Sequence, residues 1–256
     1  MGHPNPIAFT IGNIDIRWYG ILIATGMLLG VLIACKRAPH QGIKEDDVLD
    51  TVIWMLPAGV IGSRLYYVLF NLDMYHSLGD ALNMRNGGLA IHGALLFGIA
   101  TVIIVCMRKK ISALNMIDLL IPVAALGQAI GRWGNFFNGE AHGGPTDLPW
   151  GILVDGVKVH PTFLYESIWC LLLFIFLSWF AKNRRSFNGQ ILSMYGVLYS
   201  IERFFVEGLR TDSLMIGQFK QAQVLSLTVI VVCILLYIYC SKHYQLKDAD
   251  KNVNNM

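Results

Sequence analysis

Residues 131–144, "GRWGNFFNGEAHGG", follow the apolar run "IDLLIPVAALGQAI" and bring Arg132, Asn135, Asn138, Glu140 and His142 to its end. An arginine offers a planar fork suited to phosphate or carboxylate, and amides, a carboxylate and glycine backbone stand within a few residues of it. A second set lies in "LSMYGVLYSIERFFVEGLR", where Tyr195, Tyr199, Arg203 and Glu207 recur at i+4 and Arg210 extends the row by i+3. Such a stripe serves either as an interhelical salt-bridge seam or as half of an anion site. His92 in "GGLAIHGALLFG" is the histidine set deepest in an apolar segment, readable as a proton acceptor or as a bond to a neighbouring helix. Arg64 in "GVIGSRLYYVLF" is a further cation that can snorkel past its aromatic neighbours. "HPTFLYES" adds Tyr165 and Glu166 in the first turns of another apolar run.

The elements that carry these residues belong to a membrane. Of the 256 residues, 55% are hydrophobic and only 14% charged, and the mean hydropathy is +0.52. That is too apolar for a soluble domain of this size. A helix needs about 20 mainly apolar residues to cross the hydrocarbon, and seven segments qualify, at 17–35, 48–70, 88–107, 114–131, 162–181, 189–207 and 221–240. The fourth and sixth are the least apolar. The expected fold class is therefore an all-α polytopic membrane protein, with residues 1–256 forming one membrane-embedded catalytic domain.

Charge sets the expected orientation. Lys36, Arg37, Lys44, Arg108, Lys109, Lys110, Lys182, Arg184, Arg185, Lys242, Lys247 and Lys251 follow the odd-numbered segments and make up most of the 20 Lys and Arg. The positive-inside rule puts those breaks in the cytoplasm, the N-terminus outside and the C-terminus inside. The outer loops then fall at about 71–87, 132–161 and 208–220, with a polar, disordered tail at about 245–256. The first loop has room for a short amphipathic segment, and "GGPTDLPWGILVDGVKVHP" has the Gly, Pro and Asp clusters of turns or a short hairpin. "MGHPNPIAFTIGNIDI" lacks a basic n-region, so the first segment reads as a retained helix. The five cysteines sit in or at the ends of apolar segments without metal-type spacing and read as free thiols.

In this orientation Tyr19, Arg64, His92, Arg132, Arg203 and Glu207 all lie towards the outer leaflet. Charged groups near hydrocarbon are costly, so six polar positions at one level suggest a single outward-facing cavity. A transporter is the competing reading. It predicts charges through the membrane depth on broken helices with repeat symmetry, whereas inner halves such as "LLLFIFLSW" and "IVVCILLYIY" are bare. An intramembrane serine protease is disfavoured by the lack of a "GxSxG" elbow.

"RWYG" at 17–20, "GLAIHGALL" at 89–97, "GRWGNFFNGEAHGG" at 131–144, "HPTFLYE" at 160–166 and "YSIERFFVEGLRTD" at 199–212 together resemble the motifs of the bacterial prolipoprotein diacylglyceryl transferases. The resemblance covers nearly the whole chain in order. It implies transfer of diacylglyceryl from phosphatidylglycerol to the lipobox cysteine of a lipoprotein precursor, releasing glycerol phosphate, at the outer face of the bacterial plasma membrane. It implies no cofactor or metal and no nucleic acid, while membrane lipid and the precursor are the partners; no oligomer is implied. Carried over by motif, the functional positions are Tyr19, His92, Arg132, Asn135, Glu140, Gly143, Arg203 and Glu207. Ala94 replaces a frequent second glycine after the histidine, "EAHGG" lacks the usual bulky residue, and the outer arm is short.

Chemically, the reaction needs a stabilised phosphate leaving group and a thiolate. Arg132 and Arg203 are expected to hold the phosphoryl oxygens, Asn135 to orient the headgroup and Tyr19 to donate to a phosphate oxygen. His92 is the candidate base, with Glu140 or Glu207 as alternatives for that role or as arginine orienters. Gly143, Arg64, Arg210 and Tyr199 complete the expected lipid-binding set.

Overall fold

The computed structural model describes residues 4–75, 77–83, 87–211 and 213–246. The chain opens with a hairpin, β1 (Ile7–Ile11) and β2 (Ile14–Arg17), that runs straight into α1 (Trp18–Arg37). Then follow α2 (Glu45–Leu69), a five-residue α3 (Leu78–Leu82), α4 (Ile91–Lys109) and α5 (Ala113–Asn138). A second hairpin, β3 (Ile152–Val154) with β4 (Val157–Val159), precedes α6 (Thr162–Asn183) and α7 (Gln190–Leu209). A third, β5 (Met215–Ile216) with β6 (Phe219–Lys220), leads into α8 (Gln221–His243).

Among the described residues six helices, α1, α2, α4, α5, α6 and α8, are long and apolar enough to cross a membrane. The sixth expected segment, α7, does form a helix of full length. Its burden of Glu202, Arg203 and Glu207 keeps it out of that class. α3 and the β3–β4 hairpin correspond to the short segment and hairpin expected in the first two outer loops. Two expectations need correction. The fourth segment does not end near Arg132: α5 runs six residues further and stops where Gly139 turns left-handed at φ 68°. The loop therefore begins at 139 and not at 132. The polar tail lies almost wholly outside the described residues.

Contacts between helix ends show that consecutive long helices alternate in direction. At the basic end, Lys109 pairs with Asp47 and Asp50, and Arg37 donates to Ser178 on α6. At the opposite end, Ala90 N donates to Ser63 O, Trp133 to Ser167, and Gln223 to Phe204 O. Packing is inside out for a soluble protein. Large apolar residues such as Leu28, Ile104, Leu172, Val231 and Leu235 face outward. Small ones face in: Gly26, Gly30 and Ala34 of α1 are buried, with Gly26 against the Gly127 backbone of α5. Lipid solvates the outward side chains, so close backbone approach and polar bonds must do the joining. α2 and α4 approach most tightly: a Cβ on Gly93 would lie 2.1 Å from the Gly62 carbonyl oxygen.

α7 is held at its basic end from outside itself. Its N-cap, Gly189, has no side chain, and Asp118 of α5 accepts from Gly189 N at 2.7 Å and Leu192 N at 2.9 Å. The same fully buried carboxylate pairs with Arg185 at 3.2 Å, whose guanidinium also reaches Gln41, Asn115 and Asn188. Burial lowers the Arg185 pKa from its ordinary value, and Asp118 opposes that shift. Replacing Asp118 by alanine removes the cap and leaves a buried cation, so a loss of about 3–5 kcal/mol is expected. Thermal unfolding in detergent reads it as a lowered Tm; an unchanged Tm would mean that α7 is held otherwise.

Candidate active site

At the end opposite the basic one, Glu166 in the second turn of α6 is fully buried between two guanidiniums. Arg132 of α5 binds its Oε2, and Arg203 of α7 lies 3.4 Å from its Oε1. Arg203 Nη2 also pairs with Glu207 one helical turn on, at 2.6 Å, so the expected i+4 stripe is realised as an ion pair. Tyr199 lies within electrostatic reach of Arg132 and stacks on Tyr195 at 5.4 Å, and Tyr195 in turn donates to Gln128 of α5 at 2.6 Å. Two arginines and two glutamates from three helices form a charge-neutral set. Each arginine keeps about a fifth of its side chain accessible, 23% and 22%, where a further acceptor can reach it.

The last turn of α5 and the following loop assemble the next layer. Phe137 stacks on Trp18 of α1 and Phe136 on Phe163 of α6, which anchors the turn on both sides. Tyr19 lies against Gly134: a Cβ there would meet its ring at 2.4 Å, so glycine admits the phenol beside Asn135. Glu140 accepts from the amides of Asn135 and Asn138, both at 3.0 Å, and so orients Asn135. Ala141 adopts φ 56°, a left-handed conformation costly for alanine, with its carbonyl held by Thr162 Oγ1 at 2.5 Å. Gly143 bridges the start of α6 and the end of α7: its N–H donates to His160 O at 2.9 Å and it pairs with Arg210 at the end of α7. A Cβ on Gly143 would sit 2.7 Å from His160 Cβ, so no other residue fits. Lys220 closes the end of α7 by donating to the carbonyls of Glu207, Gly208 and Arg210.

The remaining expected residues lie on the α2–α4 side. His92 is exposed near the start of α4 and stacks on Tyr66 at 5.8 Å. Arg64 does not snorkel. It is 7% exposed, and its Nε, Nη1 and Nη2 donate to five carbonyls, those of Ala81, Gly87, Gly88, Asp80 and Asn83. Those five bonds use every N–H of the guanidinium, which makes Arg64 the clasp of the loop between α2 and α4. The contacts thus divide the six polar positions at this end into an α5–α6–α7 group with Tyr19 at its edge and an α2–α4 group. Two surface pockets lie away from both: one at the basic end near Trp54 and Arg108, the other an apolar groove beside Met194 and Ile234.

With this arrangement described, comparison with known proteins becomes specific. A family model described as prolipoprotein diacylglyceryl transferase matches residues 6–239. The chain belongs to that family. A phosphatidylglycerol–prolipoprotein diacylglyceryl transferase of Clostridioides difficile is 55% identical over 251 residues, 98% of this chain and 98% of that relative. One from Finegoldia magna is 51% identical over 237 residues, covering 92% and 96%. A third, from Thermotoga petrophila, is 48% identical over 236 residues, covering 88% and 80%. Within this diacylglyceryl transferase the expected Arg132, Arg203, Glu207 and Tyr199 do converge. Glu166 was noted in the sequence only as half of a polar pair. A carboxylate in the second turn of an otherwise apolar helix was the signal that it needed cations from its neighbours.

Because Glu166 serves two arginines, its removal and theirs are coupled. Glu166→Ala is expected to cost about 3–5 kcal/mol of stability. Glu166→Ala combined with Arg132→Ala should cost less than the sum of the single changes. Denaturation of the four proteins of that cycle measures the coupling; strict additivity would show that the pair is not energetically joined.

Proposed function

We propose that this chain transfers the diacylglyceryl group of phosphatidylglycerol to the lipobox cysteine of prolipoproteins, with the Arg132–Glu166–Arg203 cluster holding the lipid's phosphate. The observation that carries this reading is two partly accessible arginines, from different helices, fixed by one buried carboxylate. An anion placed against them meets preorganised donors that need no rearrangement as charge grows.

The thiolate sulfur attacks the glyceryl carbon, the carbon–oxygen bond to phosphate breaks, and glycerol phosphate leaves with the bond's electron pair. Arg132 and Arg203 stabilise the charge gathering on the leaving phosphate, and Tyr199 steadies Arg132. Asn135, aimed by Glu140, orients the headgroup, and Tyr19 donates to it from the edge of α1. Gly143 and Arg210 hold the loop over this cluster. A thiol has a pKa of about 8.5, so its ionisation needs a base or a positive field. His92 is the base in this reading. Its place beside Tyr66 requires the precursor peptide to span from the α2–α4 side to the arginines. Arg64 serves the lipid indirectly, by fixing the loop near that path.

Seven helices, α7 included, cross the bacterial plasma membrane, with the N-terminus outside and the basic end in the cytoplasm. This places the cluster towards the outer leaflet, where phosphatidylglycerol and the precursor's signal segment both arrive through lipid. The distribution of basic residues supports the orientation, and the alternation of helix direction supports an odd number of spans.

Labelled glycerol should pass from phosphatidylglycerol to a synthetic lipobox peptide and not to its Cys-to-Ser form. Arg203→Ala should lower turnover at least about 100-fold, as expected for loss of a charge-stabilising donor, with the protein still folded in the membrane. Near-normal turnover by that variant would remove the phosphate clamp from the mechanism.

A further inference from the structure

One ionisable group in this region has no part in the ion pairs. Glu202 of α7 is 7% exposed, and among the described residues neither of its carboxylate oxygens has a hydrogen-bond partner. It precedes Arg203 and lies within electrostatic reach of Glu166 and Cys170 of α6, Arg132 of α5 and Arg203 of its own helix. Tyr195, Tyr199 and Glu207 are the other ionisable groups of α7 near the cluster. On the α8 side, Lys220 is committed to carbonyls at the end of α7, and the Cys233 thiol packs at Gly196.

The charges around it already cancel. Arg132 and Arg203 are matched by Glu166 and Glu207, so an ionised Glu202 would make the cluster negative. A bound phosphodiester brings a negative charge of its own to the same two arginines. Two uncompensated negative charges in a half-buried site repel strongly, because little water is present to screen them. Glu202 has no cation of its own to absorb that repulsion.

We propose that Glu202 is the charge-balancing residue of the lipid site: negative charge on its carboxyl and a phosphodiester on the arginines exclude each other, so binding the anionic headgroup takes up a proton at Glu202. The inference rests on the phosphatidylglycerol reading above. It makes Glu202 a positioning residue acting through the electrostatics of Arg132 and Arg203. By linkage, the factor by which a proton on Glu202 tightens lipid binding equals the factor by which lipid tightens proton binding.

The test uses the full chain in detergent micelles and phosphatidylglycerol alone, without peptide, so that no substrate thiol titrates. The dissociation constant should rise with pH between about 5 and 9, at most about tenfold per unit for one linked proton. In weakly buffered solution, binding should draw up to about one proton per lipid from the medium. Glu202→Gln, which carries the neutral state permanently in a similar volume, should abolish both the slope and the uptake and bind at least as tightly as the unsubstituted protein at pH 9. Lipid binding without proton uptake overturns the proposal, as does a Glu202→Gln protein that keeps the slope. If that variant fails to fold, proton uptake by the unsubstituted protein decides by itself. Failure to bind phosphatidylglycerol at any pH overturns the lipid reading itself, an outcome distinct from binding without a proton.

Discussion

A fully buried carboxyl stays ionised among apolar helices only where cations face it, and Glu166 meets that demand with two. Arg132 comes to it from α5 and Arg203 from α7, so one side chain sets the relative depth and rotation of three helices. Desolvation is what makes the constraint strict: a misplaced partner leaves a buried charge unpaired, at several kcal/mol. Everything else at this end follows from that crossing. The loop of Gly143 can pair with Arg210 because α7 ends where Arg203 and Glu207 place it.

α7 shows how a helix too polar to be held by lipid is kept in the bundle. Its basic end is capped by Asp118 of α5, its middle is joined through Tyr195 to Gln128, and its far end is closed by Lys220. Between the apolar helices close backbone approach does more of the joining, at Gly26 of α1 against Gly127 of α5 and at Gly62 of α2 with Gly93 of α4, while α8 seats Cys233 at Gly196 of α7 itself. The division has a functional sense. Glycine contacts are short-ranged and fill space, whereas ionic and hydrogen-bonded contacts aim side chains, and the helix that carries Arg203 needs aiming.

All seven long helices were legible because their apolar runs of about 20 residues survive in the linear chain, α7 least clearly because of its charges. The end of α5 was not, because Gly134, Asn135 and Asn138 read as loop; in the fold, Phe136 and Phe137 find partners on α6 and α1 and keep that turn helical. The β3–β4 hairpin was visible in its Asp-Gly turn. The other two hairpins have strands of two to five residues, too short for alternation to stand out.

By itself, the sequence determined the membrane class, most helix positions, the family motifs and the i+4 row of Tyr195, Tyr199, Arg203 and Glu207, since each depends on local composition or on helical period. Only the tertiary structure decided which polar residues meet. It made Glu166 the shared partner of two arginines, bound Arg64 to five carbonyls, set His92 against Tyr66 and left Glu202 buried with no hydrogen bond among the described residues. The physical reason is that a charge near hydrocarbon announces that it needs a partner, but the partner comes from a helix tens of residues away, and the crossing of the helices selects it.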